Sequence, residues 1–468
     1  MLPWSLPSIV DSRAHRIAAL AVAALPMLAA AFWRSRGGRR TEAGVRRGAR
    51  VLRYRHRPRG RRGGDCGRIT IAGFPVSALD ETKHFKILGT TGTGKSTAIR
   101  EILAGALARG DRVVVADPDG GYLGRFFRRR RGDAILNPFD TASLRWDWRE
   151  EMCNPYDAEL LAHALVPASP DAAGEEWRGY ARTFLAAVIR RSWEIGARPE
   201  FDLWRLLAVA PAAQLRPLVA GSAAQPFLDP DNARMFGSIR SVAASAVAAL
   251  EHVNAQRARR FSVRRWIVAA ESSSALFIPY KATQIAALRN LISAWMRLAV
   301  FEAMNAGEGR DLRLWFVVDE LDALGAIDGL KDALARLRKF GGRCVLGFQS
   351  IAQVSSTYGH GSAQTIVENC SNTLILRCAG SENGGTSQFA SRLIGDREVR
   401  RRQTARSRDH SGGLGSSGSR RSTNISDQTV VEAAVLASEI ERLPDGHGYL
   451  KLASSPVWRE ARLRAGAC

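Results

Sequence analysis

Phe85-Lys-Ile-Leu-Gly89-Thr90-Thr91-Gly92-Thr93-Gly94-Lys95-Ser96-Thr97 reads as a strand, a glycine-rich loop and the start of a helix. Its first residues are an apolar run that reads as a buried strand. The next eight, Gly89 to Ser96, fit G-x-x-x-x-G-K-[ST] in full. A helical pattern follows from about Lys95 to Arg109. Glycines between a strand and a helix let backbone N–H groups curl around phosphate oxygens without Cβ clashes. The helix start adds its partial positive charge. In such a loop Lys95 reaches the β- and γ-phosphates of a nucleoside triphosphate, and the Ser96 hydroxyl ligates Mg²⁺. Gly89, Thr90, Thr91, Gly92, Thr93, Gly94, Lys95, Ser96 and Thr97 are therefore the candidate nucleotide-binding residues.

The second half of such a site belongs at the carboxyl end of another buried strand. Leu314-Trp-Phe-Val-Val318 followed by Asp319 and Glu320 supplies it. Asp319 is expected to hold Mg²⁺ through water and Glu320 to polarise the attacking water. Gln349 ends a further apolar run, Cys344 to Phe348. It reads either as a sensor of the γ-phosphate or as an ordinary turn residue. The segment with Arg336, Arg338 and Lys339 reads either as a source of an arginine for a neighbouring subunit's ATP or as a solvated helix face.

Strand-like runs also occur at Arg112–Ala116, Ala134–Leu136, Ala275–Ile278, Thr373–Leu376 and Tyr449–Leu452, with a long helix expected over about Thr283–Met304. Strands alternating with helices imply a parallel sheet covered on both faces. The expected class is α/β: a RecA-like P-loop ATPase domain with a mostly parallel sheet. Between about Asn154 and Val253 strand signals vanish. In Glu176–Trp193 the residues Trp177, Tyr180, Phe184, Val188 and Ile189 recur at helical spacing, the pattern of a helix core. This stretch reads as an all-α insertion. Arg400–Asp427, rich in Ser, Gly and Arg, reads as a mobile loop.

The chain has 468 residues and a net charge of +23. Such a balance points to nucleic acid or an anionic membrane surface. Seven of the 68 basic residues are Lys and the rest Arg, a skew that a GC-rich genome also produces. The six cysteines include no C-x-x-C pair, so free thiols in a reducing compartment are expected. Ile17–Trp33 is uncharged and apolar, at the short end for a membrane span. Thirteen arginines and a single acid, Glu42, follow between Arg34 and Arg62. The positive-inside rule keeps that flank in the cytoplasm. A cleaved signal peptide is the rival reading, but it would export a nucleotide site to a compartment without ATP. The expected division is a membrane anchor over 1–33, a basic linker over 34–67, a P-loop domain over 68–153 and 257–468, and the all-α insertion over 154–256.

Taken together, Gly89–Thr97, Ala116-Asp-Pro-Asp-Gly120, Leu136-Asn-Pro-Phe-Asp140, Val317–Gly325, Gly347-Phe-Gln-Ser-Ile-Ala-Gln353 and Leu443-Pro-Asp-Gly-His-Gly-Tyr-Leu450 resemble the conjugative coupling proteins of the TrwB/TraD type, over about Arg68 to Leu452. The resemblance implies a hexameric ATPase of type IV secretion, anchored in the bacterial inner membrane with its bulk in the cytoplasm. It implies ATP and Mg²⁺ as cofactors, and sequence-independent DNA, a relaxase and the secretion channel as partners. Gln349 looks like the family's nucleotide-sensing glutamine. Arg338 looks like its arginine finger acting between subunits, and the all-α insertion like its DNA-binding domain. The family has two spans where this sequence shows one apolar run. Two other readings stand beside a DNA motor. One is an ATP-switched adaptor that recruits relaxase-bound DNA without pumping it. The other is the motor of a different secretion or chromosome-segregation system.

Overall fold

A computed structural model describes residues 45–53, 68–169, 171–196, 202–269, 273–305, 312–382, 384–413 and 416–464. The apolar run Ile17–Trp33 lies outside them. Among the described residues no helix is long and apolar enough to cross a membrane.

The chain divides into two compact units. The larger comprises residues 50–395 and 434–468. It is built on a ten-stranded sheet. In chain order these strands are β1 (Val51–Leu52), β2 (Phe85–Leu88), β3 (Arg112–Pro118), β4 (Ala134–Ile135), β5 (Ala275–Tyr280), β6 (Leu314–Val318), β7 (Gly342–Phe348), β8 (Asn372–Ile375), β9 (His447–Lys451) and β10 (Trp458–Arg462). Their spatial order is β1-β10-β9-β8-β2-β7-β6-β3-β5-β4. From β8 to β4 all neighbours run parallel. The antiparallel pairs lie toward the other edge, where β9 joins β8 and β10 joins β9.

Strands covered on both faces need continuous apolar runs. Every residue of β2, β5, β6 and β7 is buried accordingly. Helix α1 (Lys95–Ala108) lays Ala98, Ile99, Ile102, Leu103 and Ala106 onto the sheet at i, i+3 and i+4 spacing.

The segment between β4 and β5 is largely helical. Its entry and exit are pinned by a short parallel pairing of Arg145–Trp146 with Arg260–Phe261. Inside this neck lie α2 (Asp157–Leu165) and α3 (Ala172–Ile195), then shorter helices at Leu203–Ala208, Ala212–Val219, Ala233–Ala246 and Leu250–Ala255. Phe184, Val188 and Ile189 are buried, and Phe184 meets the Phe236 ring edge-on at 5.3 Å. Trp177 departs from the expected core stripe. It lies in the second turn of α3 and is 38% exposed. The segment is tied to the sheet-covering helix α4 (Ile285–Asn305) by Arg264, whose guanidinium holds Asp157 of α2 at 2.6 and 2.8 Å and Glu302 of α4 at 2.6 Å.

The smaller unit holds the main correction. Asp396–Gly413 and Ser416–Ala433 form a long antiparallel ribbon, registered from Asp396 opposite Ala433 to Gly413 opposite Ser416. Val45–Gly48 pairs along its base. Arg400–Gly413 and Ser416–Asp427 are therefore paired backbone and not a loop, and the ribbon belongs to a unit apart from the P-loop domain expected over 257–468. The composition misled because a ribbon need not bury a face. Strand alternation is a signal of one-sided burial, and the residues toward the tip carry none.

Candidate functional site

The site is assembled where the parallel strands end. β2 runs into the glycine-rich loop. The Gly89 amide donates to the Phe348 carbonyl at 3.1 Å and the Thr90 amide to the Arg377 carbonyl at 2.9 Å, so the loop starts between two neighbouring strand ends. Thr93 Oγ1 closes the turn on the Thr90 carbonyl at 2.7 Å. Gly94 has φ +112, a conformation a side chain rarely adopts, and it heads α1 without any side-chain cap. An uncapped helix start beside a curled loop leaves N–H groups for an anion. Lys95 is buried. Its Nζ donates to the loop's own Gly89 and Thr90 carbonyls at 2.8 and 3.3 Å. Burial pulls the Lys95 ammonium below its ordinary pKa, with Asp319 and Glu320 opposing.

β6 delivers the acids. Asp319 is 4% exposed. Its Oδ2 accepts from Ser96 Oγ at 2.7 Å and from the Tyr122 hydroxyl at 2.7 Å, while its Oδ1 is buried without a partner. The acid can lie this close to the next strand because position 347 is glycine. A Cβ there would stand 1.9 Å from the Asp319 carbonyl oxygen. Glu320 is half-buried and accepts a hydrogen bond from Gln349 Nε2 at the end of β7. Burial raises the Glu320 pKa, Gln349's donation lowers it, and Asp319 raises it again.

The structure thus brings together Lys95, Ser96, Asp319, Glu320 and Gln349. Of the other loop residues, Thr91 and Gly92 are exposed, and Thr97 is half-buried on the first turn of α1. Arg338 stands elsewhere. It follows helix α5 (Leu330–Leu337) and precedes β7, so it is exposed at the strand starts, the opposite end of the sheet. The seven residues of β7 separate the two ends by roughly 20 Å.

Three features have places at the site that their sequence did not assign to them. Asp117, at the end of β3, accepts from the Tyr122 amide at 3.1 Å and the Leu123 amide at 2.6 Å. Burial pushes its pKa up to about 6 against those hydrogen bonds. Tyr122 is 2% exposed and projects its hydroxyl onto Asp319. Asp117 lies inside the Ala116–Gly120 motif and Tyr122 two residues beyond it, but the contact of Tyr122 with Asp319 depends on β3 lying beside β6, which no local pattern gives. The third feature is the turn Leu443–Gly446. It folds against the glycine-rich loop, with the Gly446 amide on the Thr93 carbonyl at 2.9 Å and Asp445 paired to Arg377 at 2.7 Å.

The donor set fits a hydrated divalent cation. A hydroxyl and a buried carboxylate already share a contact, and a second carboxylate oxygen is left over for a water or a metal. Asp322 Oδ1 and the Tyr280 hydroxyl are also buried without partners, and Tyr280 lies in the field of Glu320, Asp319, Asp117 and Asp322. Among the described residues no cluster of three or more His, Cys, Asp and Glu could form an all-protein metal cage.

The profile of the family described as "Type IV secretion-system coupling protein DNA-binding domain" matches residues 68–461. The coupling protein TraD of Escherichia coli (strain K12) is 30% identical over 336 residues, which are 70% of this chain and 46% of TraD. The chain thus spans about half of that relative. A shorter match, 36% identical over 74 residues, is to the type IV secretion system-coupling protein VirD4 of Bartonella quintana (strain Toulouse), covering 16% of this chain and 12% of VirD4. Among solved structures, the plasmid coupling protein TrwB in complex with the ATP analogue ADPNP superposes with a TM-score of 0.76 at 29% identity, covering 90% of this chain and 94% of TrwB. TrwB in complex with ADP and Mg²⁺ gives the same figures. The α/β fold with its mostly parallel sheet is that of TrwB, and the chain belongs to the conjugative type IV secretion coupling proteins of the TrwB/TraD type.

Proposed function

We propose that this protein is a membrane-anchored ATPase that couples relaxase-bound DNA to a type IV secretion channel and drives DNA transfer by ATP hydrolysis. The observation that carries the reading is the Ser96–Asp319 contact beside an unpartnered Asp319 oxygen, at the foot of a glycine-rich loop whose lysine is already buried against it. The nucleotide complexes of TrwB support it. Lys95, now curled onto loop carbonyls, transfers its ammonium to the β- and γ-phosphates. Ser96 and Asp319 hold the Mg²⁺ end. Mg²⁺, when bound, neutralises charge on the transferring phosphoryl group. Glu320 orients the attacking water and draws on its proton, and Gln349 keeps the Glu320 carboxylate aimed.

Arg338 sits too far from its own chain's loop to serve it. As an exposed cation at the strand starts it is suited to reach the nucleotide of a neighbouring subunit, which argues for a ring, in this reading a homo-hexamer. The anchor is assigned to Ile17–Trp33, with the arginine-rich flank on the cytoplasmic side of the inner membrane. The charge of +23 supports a grip on DNA phosphates without base reading.

The test is ATP hydrolysis by the full chain reconstituted in membranes, with and without DNA, beside Lys95→Ala. The motor reading expects DNA to stimulate hydrolysis, K95A to be inactive, and DNA binding to weaken steeply with salt. Hydrolysis indifferent to DNA, or DNA transfer surviving K95A, would replace the motor with an ATP-switched adaptor. Stimulation by a polypeptide in place of DNA would make it the motor of another secretion system.

A further inference from the structure

The hydroxyl of Tyr122 lies 2.7 Å from the Oδ2 of Asp319, and nothing in the mechanism above uses it. Its surroundings show that it is placed there by a dedicated piece of backbone. β3 ends at Asp117-Pro118, and the chain turns through Asp119 and Gly120 with φ +58 and +70. The Asp119 amide is held by the Tyr280 carbonyl at 2.8 Å. Asp117 then captures the Tyr122 and Leu123 amides, which fixes where the ring enters the core. The ring is packed in the cluster around α1 with Ile99, Leu103 and Val115. It is 2% exposed.

A neutral phenol can only donate to a carboxylate. The Tyr122 hydroxyl is buried against the carboxylate at 2.7 Å, so it is the donor of that pair. Tyr122 and Ser96 thus both donate to the same oxygen, Oδ2, and leave Oδ1 without a partner. If Ser96 turns its oxygen lone pairs to a cation, Tyr122 is the donor that keeps Asp319 in the same rotamer. Carboxylates and histidines that bind metals are commonly oriented this way by outer hydrogen bonds.

We propose that Tyr122 is a positioning residue of the Mg²⁺ end of this site, holding the Asp319 carboxylate so that Oδ1 faces the cation's water shell. The loop Asp117–Leu123 is the element that sets it. This rests on the nucleotide reading above, and the experiment separates the two. The full chain is titrated with a fluorescent ADP derivative in excess EDTA, and then with Mg²⁺ at fixed nucleotide. For Tyr122→Phe the EDTA affinity stays within about twofold of wild type, while the Mg²⁺ concentration at half-effect rises about tenfold or more. Superimposed Mg²⁺ titrations overturn the proposal. So does an EDTA affinity that weakens by the same factor, which marks general loosening of the fold. If Y122F does not accumulate as folded protein, Asp117→Asn asks the same question through the loop. A Mg²⁺ shift with an unchanged EDTA arm supports the proposal, and no shift overturns it. Wild-type protein whose nucleotide affinity ignores Mg²⁺ overturns the reading of the site itself, and the proposal with it.

Discussion

Ser96 and Asp319 are 223 positions apart in the chain, and the hydroxyl of one donates to the carboxylate of the other at 2.7 Å. The contact joins the first turn of a helix to the end of a strand two places away in the sheet. It exists because β2, β7 and β6 are parallel neighbours that all end on the same side. Whatever disturbs the spacing of β7 and β6 should therefore be felt in nucleotide binding before it is felt in the rest of the fold.

Gly347→Ala applies that disturbance directly. The new Cβ would lie 1.9 Å from the Asp319 carbonyl oxygen and 2.8 Å from its carbonyl carbon, both backbone atoms that no rotamer change can move. Forced overpacking of this kind costs about 1–3 kcal/mol. The variant is expected to melt several degrees lower and to lose most Mg²⁺-dependent nucleotide affinity, checked by thermal denaturation and nucleotide titration. A fully stable variant with normal binding would mean that the strands separate at no cost.

Glu320→Gln separates binding from hydrolysis. Burial first and Asp319 after it raise the Glu320 pKa, with Gln349 opposing, so the charge is held at a cost. Gln keeps an oxygen to accept from Gln349 and removes the charge. ATP binding should persist, hydrolysis should fall about 100-fold or more, and the nucleotide-free protein should melt at a slightly higher temperature. Binding by titration, single-turnover hydrolysis and a melting curve check the three parts.

Gln349→Ala reports on pH. Its donation to Glu320 favours the charged carboxylate, so removing it lets burial raise the Glu320 pKa further. Hydrolysis that needs ionised Glu320 should then lose rate at low pH, with the acid limb of the pH–rate profile moved to higher pH. Nucleotide affinity should change little. An unshifted limb would remove Gln349 from the chemistry and leave it a turn residue.

The residues of the phosphate loop were legible because G-x-x-x-x-G-K-[ST] is a local constraint, written in consecutive residues by the geometry of one turn. Asp319 and Glu320 were legible because a buried parallel strand advertises itself by an unbroken apolar run. Tyr122 and Asp117 were not legible, because they matter only through β3 lying beside β6. The order of strands in a sheet is set by long-range packing, which no window of sequence contains. Arg338 shows the same limit from the other side. Its spacing from Asp319 says nothing of which end of the sheet it occupies. The ribbon Asp396–Ala433 was missed because its sequence toward the tip carries no alternation of apolar and polar residues.

Arg264 is the test of how the helical segment is fastened. Its guanidinium is the shared partner of Asp157 and Glu302, both almost fully buried. Replacing one member of a buried ion cluster strands the others, at a cost of about 3–5 kcal/mol. Arg264→Met should lower the melting temperature markedly and open the 157–255 helices to proteolysis. Mutating the exposed Arg265, which meets Glu150 at 3.3 Å in solvent, should change stability by under about 1 kcal/mol.

His84 gives the last prediction, of stability against pH. It is 1% exposed. Its Nδ1 accepts the Cys344 amide at 3.1 Å, which leaves Nε2 to donate to the Leu334 carbonyl at 2.9 Å. Both nitrogens are thus committed, and a second ring proton would face an N–H. Burial therefore drives the His84 pKa down to about 4, with Arg338 and Arg343 adding repulsion. A histidine whose folded pKa is depressed binds fewer protons than it does unfolded, so stability rises with pH. The His84 contribution is fully present above the ordinary histidine pKa and is lost as pH falls from there toward 4. At its limit the loss is about 3 kcal/mol. His84→Gln should be less stable than wild type at pH 7.5, since one of its two buried contacts is weakened. The gap between the two proteins should then close as pH falls from about 6.5 to 4, measured as the difference in urea midpoints. A gap that stays constant across that range would mean that His84 is charged in the folded protein.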